Sequence, residues 1–313
     1  MTTISELVEK DKMELPLLIK DCKNGTTSKG APYLSLVFQD NSGTIDGKFW
    51  DVKPEDEEIA KVGQIVNVNF EVLLYNQNLQ LRVNKLEPAD ASSYNIEDFA
   101  MAADESDEIR RSKINEFIES IHNDTYKTLI HGMLDKVGDK FFTYPAASKI
   151  HHSFLGGLSA HTISMLEVLE DIYKHYPQLD RDLLMSGALL HDIGKVAEMS
   201  GPITTEYTVE GRLEGHISIA NGWLTEVAEE KGLSDKEETV LLHHMILSHH
   251  GHLEFGSPVL PQLQEAEVLC LIDNLDARLN TLKTALEQTK DGAWTQKLFA
   301  LENRQFYKPK GEE

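Results

Sequence analysis

An all-β domain followed by an all-α domain is the fold class that this sequence of 313 residues predicts, so the chain is multidomain. Two observations predict it. Apolar and polar residues alternate with the period of strands up to about Leu86, and from about Arg110 apolar residues recur with the period of a helix. The segment between these regions is acidic and rich in small residues. We therefore expect domains at residues 1–90 and 110–313, joined by an acidic linker at 91–109.

Composition and charge narrow the class of protein. With 41% hydrophobic and 26% charged residues, the composition is that of a soluble globular protein without a membrane partner. The first residues are acidic where a signal peptide would be apolar, and Cys22 and Cys270 are the only cysteines, so we expect a cytoplasmic protein. A net charge of −22 argues against holding duplex DNA mainly by charge neutralisation.

Strand signals fill the segment from Leu15 to Leu86. The stretches PYLSLVFQD, TIDGKFW, QIVNVNFEVLLYN and NLQLRV each alternate, and the apolar stripe of the third includes Leu74. With a first strand that begins near Leu15, these stretches make five strands. A short helical insert precedes the fourth strand, QIVNVNFEVLLYN, and this arrangement predicts a small closed barrel. The stretch YLSLVFQDNSGTIDGKFWD resembles the second and third strands of nucleic-acid-binding OB-fold domains.

The phase of these strands also predicts a binding surface. Opposite the apolar stripes lie aromatic, amide and cationic side chains, namely Tyr33, Lys48, Trp50, Asn67, Asn69, Tyr75, Gln80 and Arg82. Rings on which bases can stack, beside amides and cations, suit a single-stranded nucleic acid. Residues 1–90 contain 10 Lys and Arg against 15 Asp and Glu, so binding would depend on stacking more than on charge. Packing at the end of the barrel is the alternative role for Trp50 and Tyr75.

The C-terminal domain carries most of the histidines. Of the 13 in the chain, 11 lie between His151 and His252. Ser234 and Glu237 have the spacing of a capping box, which predicts the start of the helix that ends at the motif SHHG. Asp273 falls inside an apolar helical stretch, where a carboxylate without partners would cost several kcal/mol.

The stretch ALLHDIGK ends one predicted helix with a His–Asp pair. Polar residues and a glycine also end ordinary helices, so the pair alone does not indicate a site. Neighbouring predicted helices carry further candidate metal ligands, and the full set is His161, His191, Asp192, His216, His249, His250 and Asp273. Imidazole and carboxylate ligands suit Mn, Fe, Zn or Ni, and a set without cysteine is a poor match to a closed structural zinc site. We therefore expect an open catalytic site.

In the order H…HD…D, this set resembles the signature of the HD-domain phosphohydrolase superfamily, and the extra histidines resemble its two-metal branch. The resemblance implies that Asp192 bridges two metal ions. It assigns to one metal His161, His191 and Asp273, and to the other His216 with His249 or His250. Lys195, three residues after Asp192, would neutralise a phosphate oxygen or assist proton transfer. A solvated lysine near a helix end is the alternative.

The domain order and the motifs HHSFLGGLSAHT, HDIGK and SHHG followed by GSP resemble the YhaM family of 3′→5′ exoribonucleases, over nearly the whole chain. The resemblance implies hydrolysis of the terminal phosphodiester of single-stranded RNA to nucleoside monophosphates, by a hydroxide that two metal ions activate. Single-stranded DNA is a second candidate substrate. Mn²⁺ is the metal that the resemblance implies first, ahead of Fe, Ni, Zn and Mg.

Two other functions stay open on the sequence. A cyclic-(di)nucleotide phosphodiesterase or nucleotide phosphohydrolase would use similar metals, but the cyclic-di-GMP branch carries GYP after its paired histidines and HHGHLEFGSP lacks it. A non-catalytic DNA-binding replication factor would use metal for structure alone, and such a site needs no open second metal. A homo-oligomer is compatible with an acidic, multi-helix domain behind a short linker.

Overall fold

The computed structural model describes residues 2–27, 30–75, 78–90, 93–94, 96–100, 102–147, 154–201 and 205–311. The chain divides into two compact units, Met1–Ala102 and Ala103–Glu313. Each unit has a hydrophobic core of its own. The first is built from strands and the second from helices, which confirms the predicted fold class.

The first unit is a closed five-stranded barrel. Its strands are β1 (Lys12–Thr26), β2 (Pro32–Asp40), β3 (Gly43–Trp50), β4 (Ile65–Tyr75) and β5 (Asn78–Pro88). Their order around the barrel is β1-β2-β3-β5-β4, with β3 and β5 parallel and the other pairs antiparallel. The short helix α1 (Pro54–Ile59) lies between β3 and β4, as predicted. This order and the position of the helix are those of an OB-fold.

The period-two pattern identifies the barrel interior correctly, with one exception. Leu36, Phe38 and Phe70 are fully buried on the inner face. Leu74, predicted to continue the apolar stripe of β4, is instead 55% exposed. The reason is that β1 pairs with β4 only as far as Glu71, so the last residues of β4 belong to a two-stranded extension with β5.

The second unit packs its helices around one core. They are α2 (Asp107–Glu119), α3 (Asp124–Val137), α4 (Lys140–Thr143), α5 (Gly157–His175), α6 (Arg181–Leu190), α7 (Lys195–Glu198), α8 (Val209–Lys231), α9 (Glu237–Ser248) and α10 (Gln264–Glu287). Fully buried Leu166, Leu184 and Met245 show that α5, α6 and α9 all contribute to this core. Across the part of the chain that the structure describes, every helix is too short or too polar to cross a membrane.

Two local features determine how the histidine-bearing helices begin. The predicted capping box is wrong: α9 begins at Glu237 with Lys236 as its N-cap residue, not Ser234. The preceding turn is held instead by a hydrogen bond that Thr239 Oγ1 donates to the backbone oxygen of Leu233, at 2.8 Å. In α8, Gly215 interrupts the helix with φ 73° and ψ 152°. This left-handed region favours glycine, and it lets the helix restart at His216.

Candidate metal centre

Asp192 stands at the centre of a buried polar cluster in the helical unit. It follows α6 directly, after the C-cap residue His191, and the two residues are 2% and 0% exposed. The next turn packs closely against α8, since a Cβ atom on Gly194 would lie 2.2 Å from the backbone oxygen of His216. Glycine after the His–Asp pair therefore allows α8 to bring His216 up to Asp192.

One carboxylate oxygen of Asp192, Oδ2, faces the first group of candidate ligands. His191 Nε2 lies 3.3 Å and His161 Nε2 3.8 Å from this oxygen. His161 Nε2 also lies 3.2 Å from Oδ1 of Asp273 on α10. The donor atoms of His161, His191 and Asp192 fall within 4.8 Å of one another. We call these three residues, with Asp273, the first subsite.

The other oxygen, Oδ1, faces the second group. His216 Nε2 lies 3.4 Å and His249 Nε2 3.6 Å from it. His250 completes a set of four residues whose donor atoms lie within 4.8 Å of one another. We call Asp192, His216, His249 and His250 the second subsite. The two oxygens of one carboxylate thus point to separate groups of ligands, which is the arrangement that a bridging carboxylate needs.

Each of these five histidines is held by its Nδ1 atom, which leaves Nε2 directed inward. The Nδ1 partners of His161, His191, His216, His249 and His250 are Asp276 (2.6 Å), Ala188 O (2.8 Å), Glu198 (3.0 Å), Ile246 O (2.7 Å) and Phe255 O (2.6 Å). A backbone oxygen only accepts a hydrogen bond, so in His191, His249 and His250 the Nδ1 atom must carry the proton. In the neutral form of those rings, Nε2 then presents a lone pair to the centre.

Unpartnered atoms show that this cluster suits a cation. Within the described ranges, four of the five buried side-chain atoms without a hydrogen-bond partner belong to it, namely His191 Nε2, Asp192 Oδ1, His216 Nε2 and His249 Nε2. A buried polar atom without a partner costs about 1–3 kcal/mol. All four are lone-pair donors that converge on Asp192, so divalent cations bound there would satisfy them together.

The charge states of the cluster suit metal binding as well. Burial acts to raise the pKa of Asp192, but the Lys195 ammonium and His191 outweigh it and hold that pKa well below its usual range. Burial lowers the pKa of His249 and of His250, so both rings favour the neutral form. His161 differs: burial acts to lower its pKa, yet the carboxylates of Asp273 and Asp276 raise it to about 9. A cation at Nε2 would take the place of that proton.

Lys195 lies where α7 begins and faces the cluster. Its Nζ atom is 2.6 Å from Asp192 Oδ2, the oxygen of the first subsite, and its side chain is 12% exposed. It is therefore a largely buried ion-pair partner of the central carboxylate, and the alternative of a solvated lysine does not hold. Burial acts to lower the pKa of Lys195, but Asp192 and Asp273 reverse the effect and raise it, so the amine stays charged.

Two residues of the site were not expected from the sequence. Asp276, one turn after Asp273 on α10, accepts a hydrogen bond from Ser164 Oγ in addition to its contact with His161. Glu198 accepts from the backbone N–H of His216 at 3.2 Å as well as contacting its ring. The spacing of three residues puts Asp276 on the same helix face as Asp273, which is a weak signal because most carboxylates on helices are solvated. No pattern in the sequence separates Glu198 from an ordinary surface glutamate.

On the barrel, three of the predicted nucleic-acid-binding residues lie together on the outer face. Tyr33 and Trp50 are paired across β2 and β3, with ring centroids 4.8 Å apart and planes inclined by 35°. Lys48 Nζ lies 5.4 Å from the Tyr33 ring centroid. Trp50 is 45% exposed, so part of its surface is open to solvent. A Cβ atom on Gly25 would lie 2.3 Å from the Tyr33 ring, so glycine leaves room for the ring to lie across β1.

The other two predicted residues extend this face. Arg82 on β5 is paired with Lys48 in the β3–β5 ladder, and its guanidinium forms an ion pair of 2.6 Å with Glu71. Tyr75 lies at the far end of the face, opposite Asn78, and is 61% exposed. The structure thus brings Tyr33, Lys48 and Trp50 into contact, puts Arg82 beside Lys48 and leaves Tyr75 apart.

Known proteins similar to this chain cover both of its units. The model of the HD domain family matches residues 158–278, which include all seven candidate ligands. The chain is 44% identical over 300 residues to the 3′-5′ exoribonuclease YhaM of Geobacillus sp. (strain WCH70), covering 96% of this chain and 92% of that protein. It is 45% identical over 300 residues to the 3′-5′ exoribonuclease YhaM of Bacillus pumilus (strain SAFR-032), covering 96% and 95%.

Among solved structures, the second OB-fold domain of replication protein A from Methanococcus maripaludis matches 28% of this chain and 94% of its own length, with 22% identity and a TM-score of 0.23. The assignment of the barrel rests on its strand order rather than on this match. Similarity to the two YhaM proteins extends over nearly the full length of all three chains. The chain therefore belongs to the YhaM family of 3′-5′ exoribonucleases.

Proposed function

We propose that this protein is a metal-dependent 3′→5′ exoribonuclease that hydrolyses the terminal phosphodiester of single-stranded RNA to nucleoside monophosphates, with its active site around Asp192. The observation that carries the proposal is the division of ligands between the two oxygens of this buried carboxylate. The two YhaM relatives, both 3′-5′ exoribonucleases by name, support the same reaction.

We assign two divalent cations to this site, one in each subsite, with Asp192 shared between them. The nitrogen and oxygen donors, without sulfur, suit Mn²⁺, the metal that we propose, and also Fe, Ni, Zn and, less well, Mg. When bound, such a pair supplies Lewis acidity, both for water activation at neutral pH and for the charge on the departing oxygen.

The residues of the chain have distinct tasks in this proposal. Asp276 and Glu198 orient His161 and His216, which fixes the direction of each coordinating nitrogen. Lys195 neutralises Asp192 in the absence of substrate and, when RNA is bound, contacts a non-bridging phosphate oxygen or moves a proton. Its Nζ atom is already within a few ångströms of the first subsite, because it lies 2.6 Å from Asp192 Oδ2.

We assign capture of the RNA strand to the outer face of the barrel around Tyr33, Lys48 and Trp50. Stacking of a base on an aromatic ring is worth about 1–3 kcal/mol and is tolerant of sequence, which suits an enzyme that degrades a strand one nucleotide at a time. Because stacking does not recognise the 2′-hydroxyl, single-stranded DNA is included as a second substrate. A cytoplasmic location and a homo-oligomer complete the proposal, and light scattering of the purified protein measures the latter.

Product analysis tests the proposed reaction. Metal-stripped protein is supplied with Mn²⁺ and incubated with a 5′-labelled single-stranded RNA, and Asp192→Asn serves as the matched inactive variant. We expect a ladder of products shortened from the 3′ end, together with nucleoside monophosphates, from the wild type alone. Hydrolysis of cyclic dinucleotides with intact RNA would favour the cyclic-nucleotide phosphodiesterase. Binding of single-stranded DNA without any hydrolysis would favour the non-catalytic replication factor.

A further inference from the structure

We propose that Phe255 is a positioning residue that stacks on the base of the 3′-terminal nucleotide and thereby places the adjacent phosphodiester between the two subsites. This inference rests on the proposed function, since it assigns the 3′-terminal nucleoside to a defined surface beside the second subsite. Phe255 lies in a short turn, Leu253–Phe255, between α9 and α10.

The turn is fixed to a candidate metal ligand. The backbone oxygen of Phe255 accepts a hydrogen bond from Nδ1 of His250 at 2.6 Å. The backbone N–H of His250 donates to Oγ of Ser257 at 3.1 Å, and Ser257 is 1% exposed. Gly251 and Gly256 flank the turn with φ values of 71° and 99°. The position of the turn is therefore set by the same contacts that orient His250.

These contacts place the backbone of Phe255 beside the second subsite and leave its side chain exposed. A backbone oxygen is two bonds from its own Cα, so the Cα atom of Phe255 lies within about 5 Å of the His250 ring. The Phe255 side chain is nevertheless 61% exposed. Its ring meets that of His252 edge to face, with centroids 5.2 Å apart and planes at 80°. An edge-to-face contact holds a ring in place and leaves ring surface available for stacking.

The chemistry of the substrate indicates what covers that surface. In a terminal nucleotide the base is separated from the scissile phosphate by one ribose, so a phosphate at the subsites puts the base at the rim of the site. An enzyme that removes successive nucleotides must accept all four bases in this place. Stacking meets that requirement, because every base has an aromatic face, whereas hydrogen bonds to base edges would select among them.

The experiment separates stacking from support of the metal ligand. Phe255→Ala removes the ring but keeps the backbone oxygen that holds His250. Phe255→Trp restores a stacking surface. Leu253→Ala is the matched control, because Leu253 belongs to the same turn and is 60% exposed. The substrates are an RNA oligonucleotide with a normal 3′ nucleotide and one whose 3′-terminal residue is abasic.

We expect Phe255→Ala to lower kcat/KM on the normal RNA roughly 5- to 150-fold, the range that loss of one stacked base predicts. The abasic end should cause a loss of similar size in the wild type and no further loss in Phe255→Ala. Phe255→Trp should recover most of the activity, and Leu253→Ala should behave as wild type. Mn²⁺ content should be unchanged in all three variants, and Leu253→Ala should also leave hydrolysis of bis-p-nitrophenyl phosphate unchanged.

Two results would overturn the inference. Equal losses by Phe255→Ala on normal and abasic ends would show that the ring does not contact the terminal base. Loss of Mn²⁺ in Phe255→Ala would show that the ring supports His250 instead. Fluorescence of a 3′-terminal 2-aminopurine, linked by a slowly cleaved phosphorothioate, reports stacking directly through its quenching. Absence of nucleotide release by the wild type, with quenching that depends on Phe255, would contradict the proposed function and leave the stacking role intact.

Discussion

His161 is held between two carboxylates of one helix: Asp276 Oδ2 lies 2.6 Å from its Nδ1 atom, and Asp273 Oδ1 lies 3.2 Å from its Nε2 atom. The two aspartates are three residues apart on α10, so they share a helix face. One of them orients the ring and the other stands beside the coordinating nitrogen. A carboxylate behind a histidine ligand fixes the orientation of the ring and strengthens its basicity.

The first prediction concerns Asp276. Asp276→Asn keeps the size of the side chain but removes the charge that orients His161, so we expect metal affinity to fall about 10- to 100-fold. Calorimetric titration of metal-stripped protein with Mn²⁺ measures this affinity. Glu287→Gln, an exposed substitution at the end of the same helix, is the control. Unchanged affinity in Asp276→Asn would exclude an orienting role for this carboxylate.

The second prediction concerns Asp192. Asp192→Ala removes the oxygens that face both subsites, so we expect loss of RNA hydrolysis and a lower content of bound metal by elemental analysis. The helical fold should survive, since most of the core in the second unit lies away from this carboxylate. Stability should nevertheless decrease by about 3–5 kcal/mol, because the buried Lys195 loses its counter-charge.

Asp192→Ala combined with Lys195→Met is the control for that charge effect, because it removes both members of the pair. It should recover part of the lost stability and none of the activity. Near-normal hydrolysis by Asp192→Ala with Mn²⁺ would contradict the two-metal assignment.

Residues that belong to a periodic pattern or a short motif were predictable from the sequence. A residue whose role depends on a partner far along the chain was not. The period of two identified the barrel interior at Leu36 and Phe38, and the ordered His and Asp residues on predicted helices predicted the candidate ligands that the structure brings together around Asp192. Asp276 was missed because its partner His161 lies 115 residues away, and a carboxylate on a helix is usually solvated. A start of α9 at Ser234 was wrongly predicted because a local turn closed by Thr239 and Leu233, not a capping box, precedes that helix.

The third prediction concerns Lys195. Lys195→Met should lower kcat with little change in metal content, since an interaction with the phosphate strengthens in the transition state. Steady-state kinetics on a short RNA and elemental analysis of the same sample measure the two quantities. Lys113→Met is a control, because Lys113 also forms a pair with a carboxylate, at 2.6 Å from Glu105, but lies on α2. Loss of metal in proportion to loss of activity would make Lys195 a support for Asp192 alone.

The fourth prediction concerns the effect of metal on stability. Because the unpartnered nitrogens of His191, His216 and His249 are buried around Asp192, a cation that binds only the folded state should stabilise the helical unit. At a Mn²⁺ concentration about 100 times the Kd, the gain is about 2.7 kcal/mol for each bound cation. Thermal unfolding with EDTA and with Mn²⁺ measures it as a rise in Tm. The same comparison on Asp192→Ala should show a much smaller rise, and equal rises would place the bound metal elsewhere.

The last prediction concerns the aromatic pair on the barrel. Trp50 is exposed and lies against Tyr33, so Trp50→Ala removes one stacking surface and loosens the other. Loss of a stacked base should raise KM for an RNA oligonucleotide roughly 5- to 150-fold. Hydrolysis of bis-p-nitrophenyl phosphate should stay the same, because this small substrate has no strand for the barrel to capture. Trp50→Phe should recover much of the loss.

Two further variants decide whether the effect belongs to this face. Gly25→Ala should act in the same direction, since the added methyl group displaces the Tyr33 ring. Trp294→Ala removes an exposed tryptophan from the helical unit and should leave KM for RNA unchanged. The expected loss also grows with oligonucleotide length until the strand reaches the barrel and is constant beyond that length. Equal losses by Trp50→Ala on RNA and on the small phosphodiester would make Trp50 a packing residue, and the barrel would then bind RNA through another surface or serve in assembly.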